Sequence, residues 1–257
     1  MVSGFQGAII AAGRGERLRG AVNDLPKPLV ELGGETMLVR QARMLHEAGA
    51  ERVVALVNCE TARLIAARAL ALPRWMELHA RDTASSMESL FTLAEYLGDA
   101  RHFLLATVDA VAQAAELARF VTRARGLTAR AGAAGFDGAL AVVRWRGDRR
   151  ALFAEVAPQG NIRALGERES SLVTAGFYWL PAAMFELAPR ARALGLDAMR
   201  KALAMALDQG MRLAAVELAA IIDVDEAADL AAARAMLAAA PAHPAPATGA
   251  ESNKSEH

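Results

Sequence analysis

The chain of 257 residues carries 29 basic and 29 acidic side chains, so no overall field recruits nucleic acid or an anionic membrane, and any phosphate must be held by local groups. Its 54% hydrophobic content is ample for the core of one large α/β domain. The single cysteine, Cys59, excludes an internal disulfide and a thiolate zinc cluster, and five scattered histidines show no metal-ligand spacing, so a reducing cytoplasm is the expected setting.

The opening MVSGFQGAII lacks a basic n-region, and its apolar run stops at Gly13, so no leader is expected. No apolar run reaches the roughly 18 residues that a membrane-spanning helix needs. GAIIAAG (7–13) reads as a buried strand. ETMLVRQARMLHEAGA (35–50) predicts an amphipathic helix ending near Gly49, ERVVALVN (51–58) a strand, and ETARLIAARALAL (60–72) a helix closed by Pro73. SSMESLFTLAEYLG (85–98) predicts a third helix with Ser85 or Ser86 as N-cap, and HFLLATVDA (102–110) a third apolar strand. Strands alternating with helices imply a mainly parallel sheet covered on both faces, with ligands bound beyond the carboxyl ends of the strands.

The rhythm then changes. ALAVVRW (139–145) and FAEVAPQGNIRAL (153–165) contain short β-like runs, PQGN (158–161) has the composition of a hairpin turn, and LVTAGFYWLP (172–181) reads as a buried strand stopped by Pro181. Two helices, AMRKALAMALDQG (198–210) and EAADLAAARAMLAAA (226–240), bracket a strand in RLAAVELAAIIDVD (212–225). Residues 1–240 are therefore expected to form one domain, and the Pro-rich, then polar residues 241–257 a disordered tail.

Two stretches carry chemistry. In AIIAAGRGERLRG (8–20), glycines at 13 and 15 allow backbone conformations and close approaches that a side chain would forbid. The third glycine of a dinucleotide fingerprint is missing, because Leu18 stands in its place, and no Gly-Lys-Ser or Gly-Lys-Thr follows to make a P-loop. What remains is a glycine loop whose N–H groups can surround phosphate oxygens, followed by Arg17 and Arg19. In LPKPLVELGG, Pro26 and Pro28 fix the backbone around Lys27 and remove two backbone donors. Taken singly, the glycine stretch is as compatible with a generic tight turn, and an isolated Pro-Lys-Pro reads first as a solvated loop lysine; the pair is not generic.

AAGRGERL (11–18) followed by PKPLVELGGETMLVRQARMLHEAGAERVVALVN (26–58) resembles the amino-terminal signature Ala-Ala-Gly-x-Gly-x-Arg, then Pro-Lys-Pro-Leu. That signature belongs to the nucleotidyltransferase family that includes sugar-1-phosphate nucleotidylyltransferases, small-alcohol phosphate cytidylyltransferases and MobA-like NTP transferases. The resemblance implies a three-layer α/β/α, Rossmann-like mixed sheet of the nucleotide-diphospho-sugar transferase type. It places Ala11, Ala12, Gly13 and Gly15 around a nucleoside triphosphate, with Arg17 and Lys27 on its phosphates. HFLLATVDAV resembles the family strand whose end carries a metal-binding aspartate, here Asp109. IIDVDEAADL resembles the closing segment that brings a second carboxylate, Asp225 in preference to Asp223. VTAGFYWL resembles the strand whose glycine, here Gly176, lines the acceptor pocket. LGERES departs from the usual Glu-Lys-Pro segment and leaves Arg168 as the nearest candidate for an acceptor phosphate. RDTASSMESLF lacks the Gly-Gln element of the sugar enzymes and is closer to the cytidylyltransferase segment, with Ser86 as a candidate nucleotide contact and Ser89 and Leu90 as further echoes.

Mg²⁺ prefers near-octahedral oxygen ligation from one or two carboxylates, waters and substrate phosphates, so two aspartates on neighbouring strand ends would suffice. As alternatives, Asp109 caps the following helix, and Asp223 or Asp225 serves as an ordinary N-cap before EAADL. The reaction implied is transfer of a nucleoside monophosphate from a nucleoside triphosphate to a phosphorylated acceptor, foremost a sugar 1-phosphate, with Mg²⁺ as cofactor. Alternatives are a cytidylyltransferase acting on a small alcohol phosphate or phosphonate, and a non-catalytic nucleotide-binding subunit. A glycosyltransferase is disfavoured because TVD, with Thr107 first, stands where an Asp-x-Asp pair is usual. The expected partners are the nucleotide and the acceptor, with neither nucleic acid nor membrane; homo-oligomerisation is left open.

Overall fold

A computed structural model of the chain describes residues 4–239 apart from 14, 16, 17, 19–21, 23, 131–134, 148–151, 168 and 169. The tail expected over 241–257 lies outside the described residues. Four strands run parallel: the apolar β1 (Phe5–Ala11), β4 (Ala50–Val57) and β6 (His102–Thr107), and the edge strand β5 (Met76–Ala80). β1 pairs with β4 on one side and β6 on the other, and β4 pairs with β5. The sheet turns mixed beyond β6. There β11 (Leu172–Pro181) runs antiparallel both to β6 and to β8 (Gly138–Arg144), and β12 (Leu213–Glu217) runs parallel to β8. A hairpin of β9 (Phe153–Val156) and β10 (Ile162–Gly166) joins the start of β11 through Val173 and Phe153. Its turn is the predicted PQGN, with Gly160 at φ +87°.

Alternation along the central strands sends side chains to two cores. Ile9, Val53 and Leu104 face Leu38 and Leu45 of helix α1 (Met37–Glu47) and Phe120 of helix α4 (Ala114–Thr128). Ile10, Val54, Phe103 and Leu105 face Leu90 of helix α3 (Ser86–Thr92) and Leu203 of helix α6 (Met199–Asp208). Strands buried on both faces are why the central runs read as continuous apolar segments. The result is the expected three-layer α/β/α arrangement.

Several boundaries differ from the sequence expectation, each for a local reason. Helix α1 starts at Met37 because Glu35–Thr36 form strand β3 against β2 (Glu31–Leu32), across Gly33 and Gly34 at φ +68° and +87°. Thr36 then caps the helix, its Oγ1 accepting from Val39 N at 3.3 Å. Helix α2 (Cys59–Ala67) ends before 72, where Ala69 turns at φ +48°. Helix α3 gives way after Thr92 to a 3₁₀ turn. The predicted strand over 212–225 divides into β12 and a short β13 (Ile222–Asp223), which pairs with β7 (Ala110–Val111) instead of β8. Strand β5, helix α4 and a short helix α5 (Ala188–Ala193) were not among the expected elements. A last helix, α7 (Ala227–Ala238), closes the described chain. No helix among the described residues is long and apolar enough to cross a membrane.

Candidate active site

The sheet fixes where a ligand can sit. From β1 the chain passes through α1 to β4 on one side, whereas β6 arrives on the other side of β1. Strand order therefore reverses between β1 and β6, and the loops leaving their carboxyl ends diverge to open a crevice. Lys27, Asp109 and Asp225 meet at this end.

The loop after β1 is held from two sides. Asn58 caps helix α2, its Oδ1 accepting from Thr61 N at 2.8 Å, and its Nδ2 donates to Ala12 O at 3.3 Å. Ala11 and Ala12 are thereby buried at the strand end while Gly13 emerges exposed. Gly15, at φ +60°, lies directly against the Pro-Lys-Pro turn: a Cβ there would stand 3.1 Å from Lys27 Cβ. The two halves of the signature are thus one packed unit. Arg17, the predicted phosphate ligand, lies outside the described residues, as does Arg168.

Lys27 begins a 3₁₀ turn, Lys27–Leu29, in which Leu29 N donates to Pro26 O at 2.9 Å. It is 8% exposed, so the alternative of a solvated loop lysine is ruled out. Its Nζ donates to Asp109 Oδ2 at 2.9 Å and to Asp225 Oδ1 at 2.7 Å. Burial alone would lower the lysine pKa, but the charges and hydrogen bonds of Asp109 and Asp225 outweigh it and raise the value. The ammonium is fully charged at neutral pH.

Neither aspartate is a helix cap. Helix α4 begins five residues after Asp109 with Gln113 as its N-cap, and α7 is capped by Glu226. Asp109 occupies the turn between β6 and β7, where its carbonyl accepts from Val224 N at 3.0 Å. Asp225 is set by Asp229, whose Oδ2 accepts from both Asp225 N at 3.1 Å and Glu226 N at 2.8 Å. Asp229 and Asn58 are site residues that sequence reasoning missed. The Glu-x-x-Asp capping box was a usable signal for the first, and Asn before a helix for the second.

Asp223 lies on β13 opposite Ala110 and faces Gly176, whose added Cβ would come 3.5 Å from Asp223 Oδ1. Gly176 sits in a bulge of β11, between the pairs Thr174–Val142 and Tyr178–Leu140, at φ +70°. A Cβ there would be 2.4 Å from Ala110 Cβ and 2.7 Å from Thr107 Oγ1. Glycine is required twice over, by conformation and by contact. Gly176→Ala is expected to destabilise the fold by more than about 2 kcal/mol, because left-handed strain adds to displacement of the Asp109 turn. Denaturant unfolding with a turnover assay checks this; a wild-type midpoint would contradict it.

Ser85, not Ser86, caps α3, its Oγ accepting from Glu88 N at 3.2 Å. Ser86 Oγ accepts from Met199 N at 3.0 Å and so ties α3 to the start of α6. Ser86 is not among the groups that converge on Lys27. Ser89, its neighbour in the motif, is buried and bonds Thr83 Oγ1 at 2.7 Å and Ser85 O at 3.1 Å.

Two carboxylates thus place oxygens within 2.9 Å of one cationic centre. No group of three His, Cys, Asp or Glu side chains suited to a metal ion occurs among the described residues. A closed protein cage of the zinc or calcium kind is not formed by them, whereas a pair of carboxylates is the donor set that Mg²⁺ accepts alongside waters and phosphates.

A glycine loop, a buried lysine and paired aspartates thus meet at the switch point of a mixed sheet. The chain belongs to the family of the MobA-like NTP transferase domain, which matches residues 7–178. Among solved structures, the inositol-1-phosphate CTP transferase of T. maritima has a TM-score of 0.70 at 19% identity, over 88% of this chain and 92% of that one. The CTP:phosphocholine cytidylyltransferase of Streptococcus pneumoniae has a TM-score of 0.70 at 15% identity, over 91% of this chain and 100% of that one. At these identities the likeness is one of fold. The chain is also 43% identical over 54 residues to a mannose-1-phosphate guanyltransferase of Yarrowia lipolytica, a stretch spanning 21% of this chain and 15% of that enzyme.

Proposed function

We propose that the protein transfers a nucleoside monophosphate from a nucleoside triphosphate to a phosphorylated small molecule, foremost a sugar 1-phosphate, and releases pyrophosphate. The observation that carries this reading is the meeting of Lys27, Asp109 and Asp225 beside the glycine loop. In the reaction an acceptor phosphate oxygen attacks the α-phosphorus, the bond to the α,β-bridging oxygen breaks, and pyrophosphate departs with the electron pair. A phosphomonoester has its second pKa near 6, so the nucleophile is already ionised at neutral pH and no protein base is needed. The chain's task is alignment and charge compensation.

Backbone groups of Ala12, Gly13 and Gly15 surround the triphosphate, and Lys27, joined on the sequence pattern by Arg17, offsets charge growing on pyrophosphate. Asp109 and Asp225, which here pair with Lys27, would hold Mg²⁺ once that ammonium turns toward the phosphates; the ion would supply polarisation of the α-phosphate and lessen its repulsion of the incoming dianion. Gly176, the acceptor-lining glycine on the sequence pattern, lets β11 pack closely against Ala110 and Thr107 of the Asp109 turn. A second reading, a cytidylyltransferase for a small alcohol phosphate, is favoured by the SSMESL segment.

The test is a pyrophosphate-release screen of four nucleotides against sugar phosphates and small alcohol phosphates, with and without Mg²⁺. Release that requires one nucleotide, one acceptor class and the metal is the expected outcome, and the acceptor separates the two readings. Absence of release from every combination would overturn both.

A further inference from the structure

Helix α1 buries two long polar side chains in its otherwise apolar stripe. Arg40 is 5% exposed and Gln41 1%, among Met37, Leu38, Ala42, Met44 and Leu45. Such groups are unfavourable in a core unless bonded, and both of these are bonded to a single turn. Gln41 Nε2 donates to Thr107 O at 2.9 Å, and Arg40 Nη2 donates to Ala112 O at 2.8 Å. Thr107 is the last residue of β6, and Ala112 follows the last residue of β7. The two donors therefore grip the carbonyls on either side of Asp109.

The opposite side of the turn is held by β13, through the pairs Val111–Ile222 and Ala110–Asp223 and the bond from Val224 N to Asp109 O. Helix α1 is also registered to the lysine turn, since Met37 N donates to Val30 O at 2.9 Å. One helix thus sets the depth of both the ammonium and the carboxylate. Burial and the neighbouring Arg43 charge lower the Arg40 pKa to about 10, against the pull of Glu35 and Glu47. The guanidinium is still charged at neutral pH, and its bond to the carbonyl is a charge-assisted one.

We infer that Arg40 and Gln41 are positioning residues that clamp the 107–112 turn so that the Asp109 carboxylate meets Asp225 at one cation site. This rests on the reading that the two aspartates take a divalent ion. Groups that orient metal ligands from behind typically govern metal affinity by 10- to 100-fold.

The test uses the full chain with Mn²⁺ as the probe, followed by calorimetry or electron paramagnetic resonance, with thermal unfolding in parallel. Asp109→Asn is expected to remove the bound Mn²⁺. Arg40→Met and Gln41→Leu are expected to weaken Mn²⁺ about 10-fold and to raise the metal concentration needed for half-maximal turnover, with turnover recovering at saturating metal. Should either variant fail to fold, Arg40→Lys and Gln41→Asn keep a polar head at shorter reach and carry the same expectation. Wild-type Mn²⁺ affinity in folded Arg40 and Gln41 variants, with only a lowered unfolding temperature, would overturn the inference and leave the metal reading intact. Unchanged Mn²⁺ binding by Asp109→Asn would overturn the metal reading itself.

Discussion

Lys27→Met is expected to lower kcat/KM by about 10²- to 10³-fold, or about 3–4 kcal/mol of transition-state stabilisation, the usual effect of deleting one preorganised group facing developing charge. Methionine approximates the length and volume of the stem, so the packing of Lys27 Cβ against Gly15 survives and the loss reports on charge. The same variant carries a second, opposite signature. Without the ammonium, two carboxylates whose oxygens lie 2.9 and 2.7 Å from the Nζ position repel each other. The variant should unfold more readily in chelator, by about 1–2 kcal/mol given that both aspartate side chains are partly exposed. Divalent cations should then restore more stability to it than they add to the wild type.

The pH dependence has a definite sign. The Lys27 pKa is raised above its unfolded value, so the pairing stabilises the fold fully below about pH 10.4 and is lost only as pH rises through the folded value. The stability difference between wild type and Lys27→Met should accordingly be flat across the neutral range. A difference that vanished near pH 7 would show that Lys27 is not the paired ammonium described.

Asp109→Asn should reduce pyrophosphate release by at least about 10³-fold while leaving the fold in place, because both electrostatic roles of the carboxylate go at once. The substitution is isosteric and touches only the carboxylate. The backbone of the turn keeps its bond from Val224 N and its grips from Gln41 and Arg40. A neutral amide binds hard cations poorly and cannot balance the Lys27 charge, so both partners of the carboxylate are lost together. Pyrophosphate release with a thermal unfolding scan checks the split. An Asp109→Asn protein that kept about a tenth of wild-type turnover would remove this carboxylate from the reaction, since that loss is far below the effect of a preorganised charge.

Much of this site was legible because it is local. The two glycines, the Pro-flanked lysine and the aspartate at the end of an apolar strand each announce themselves through backbone chemistry within a few residues. The choice between Asp223 and Asp225 was half-legible. The sequence offered both as metal ligands or as caps; the cap of α7 is Glu226, boxed with Asp229, and Asp225 pairs with Lys27.

What escaped depends on contacts between distant segments. Arg40 and Gln41 look like ordinary helix residues until the carbonyls of Thr107 and Ala112 are brought against them. Strand β5 is a half-buried edge strand with His79 and Glu77 in its short span, and it shows little apolar contrast. Helix α4 carries its apolar stripe at Leu117, Phe120, Val121 and Ala124 between Glu116, Arg119 and Arg123, so its helical period was present in the sequence and went unread. The break between β12 and β13 is a matter of partners, since continuous apolar sequence feeds two different strands, β8 and β7.

The central claim is that the loop through Gly13 and Gly15, with Lys27, holds a triphosphate opposite Asp109 and Asp225. It is tested most directly by isothermal titration of the four nucleoside triphosphates, with Mg²⁺, into wild type and Lys27→Met. One nucleotide is expected to bind the wild type at 1:1 stoichiometry and to bind the variant at least about 10-fold more weakly, a loss of about 1.4 kcal/mol or more. Binding of none of the four to the wild type, or equal affinity in the two proteins, would contradict it.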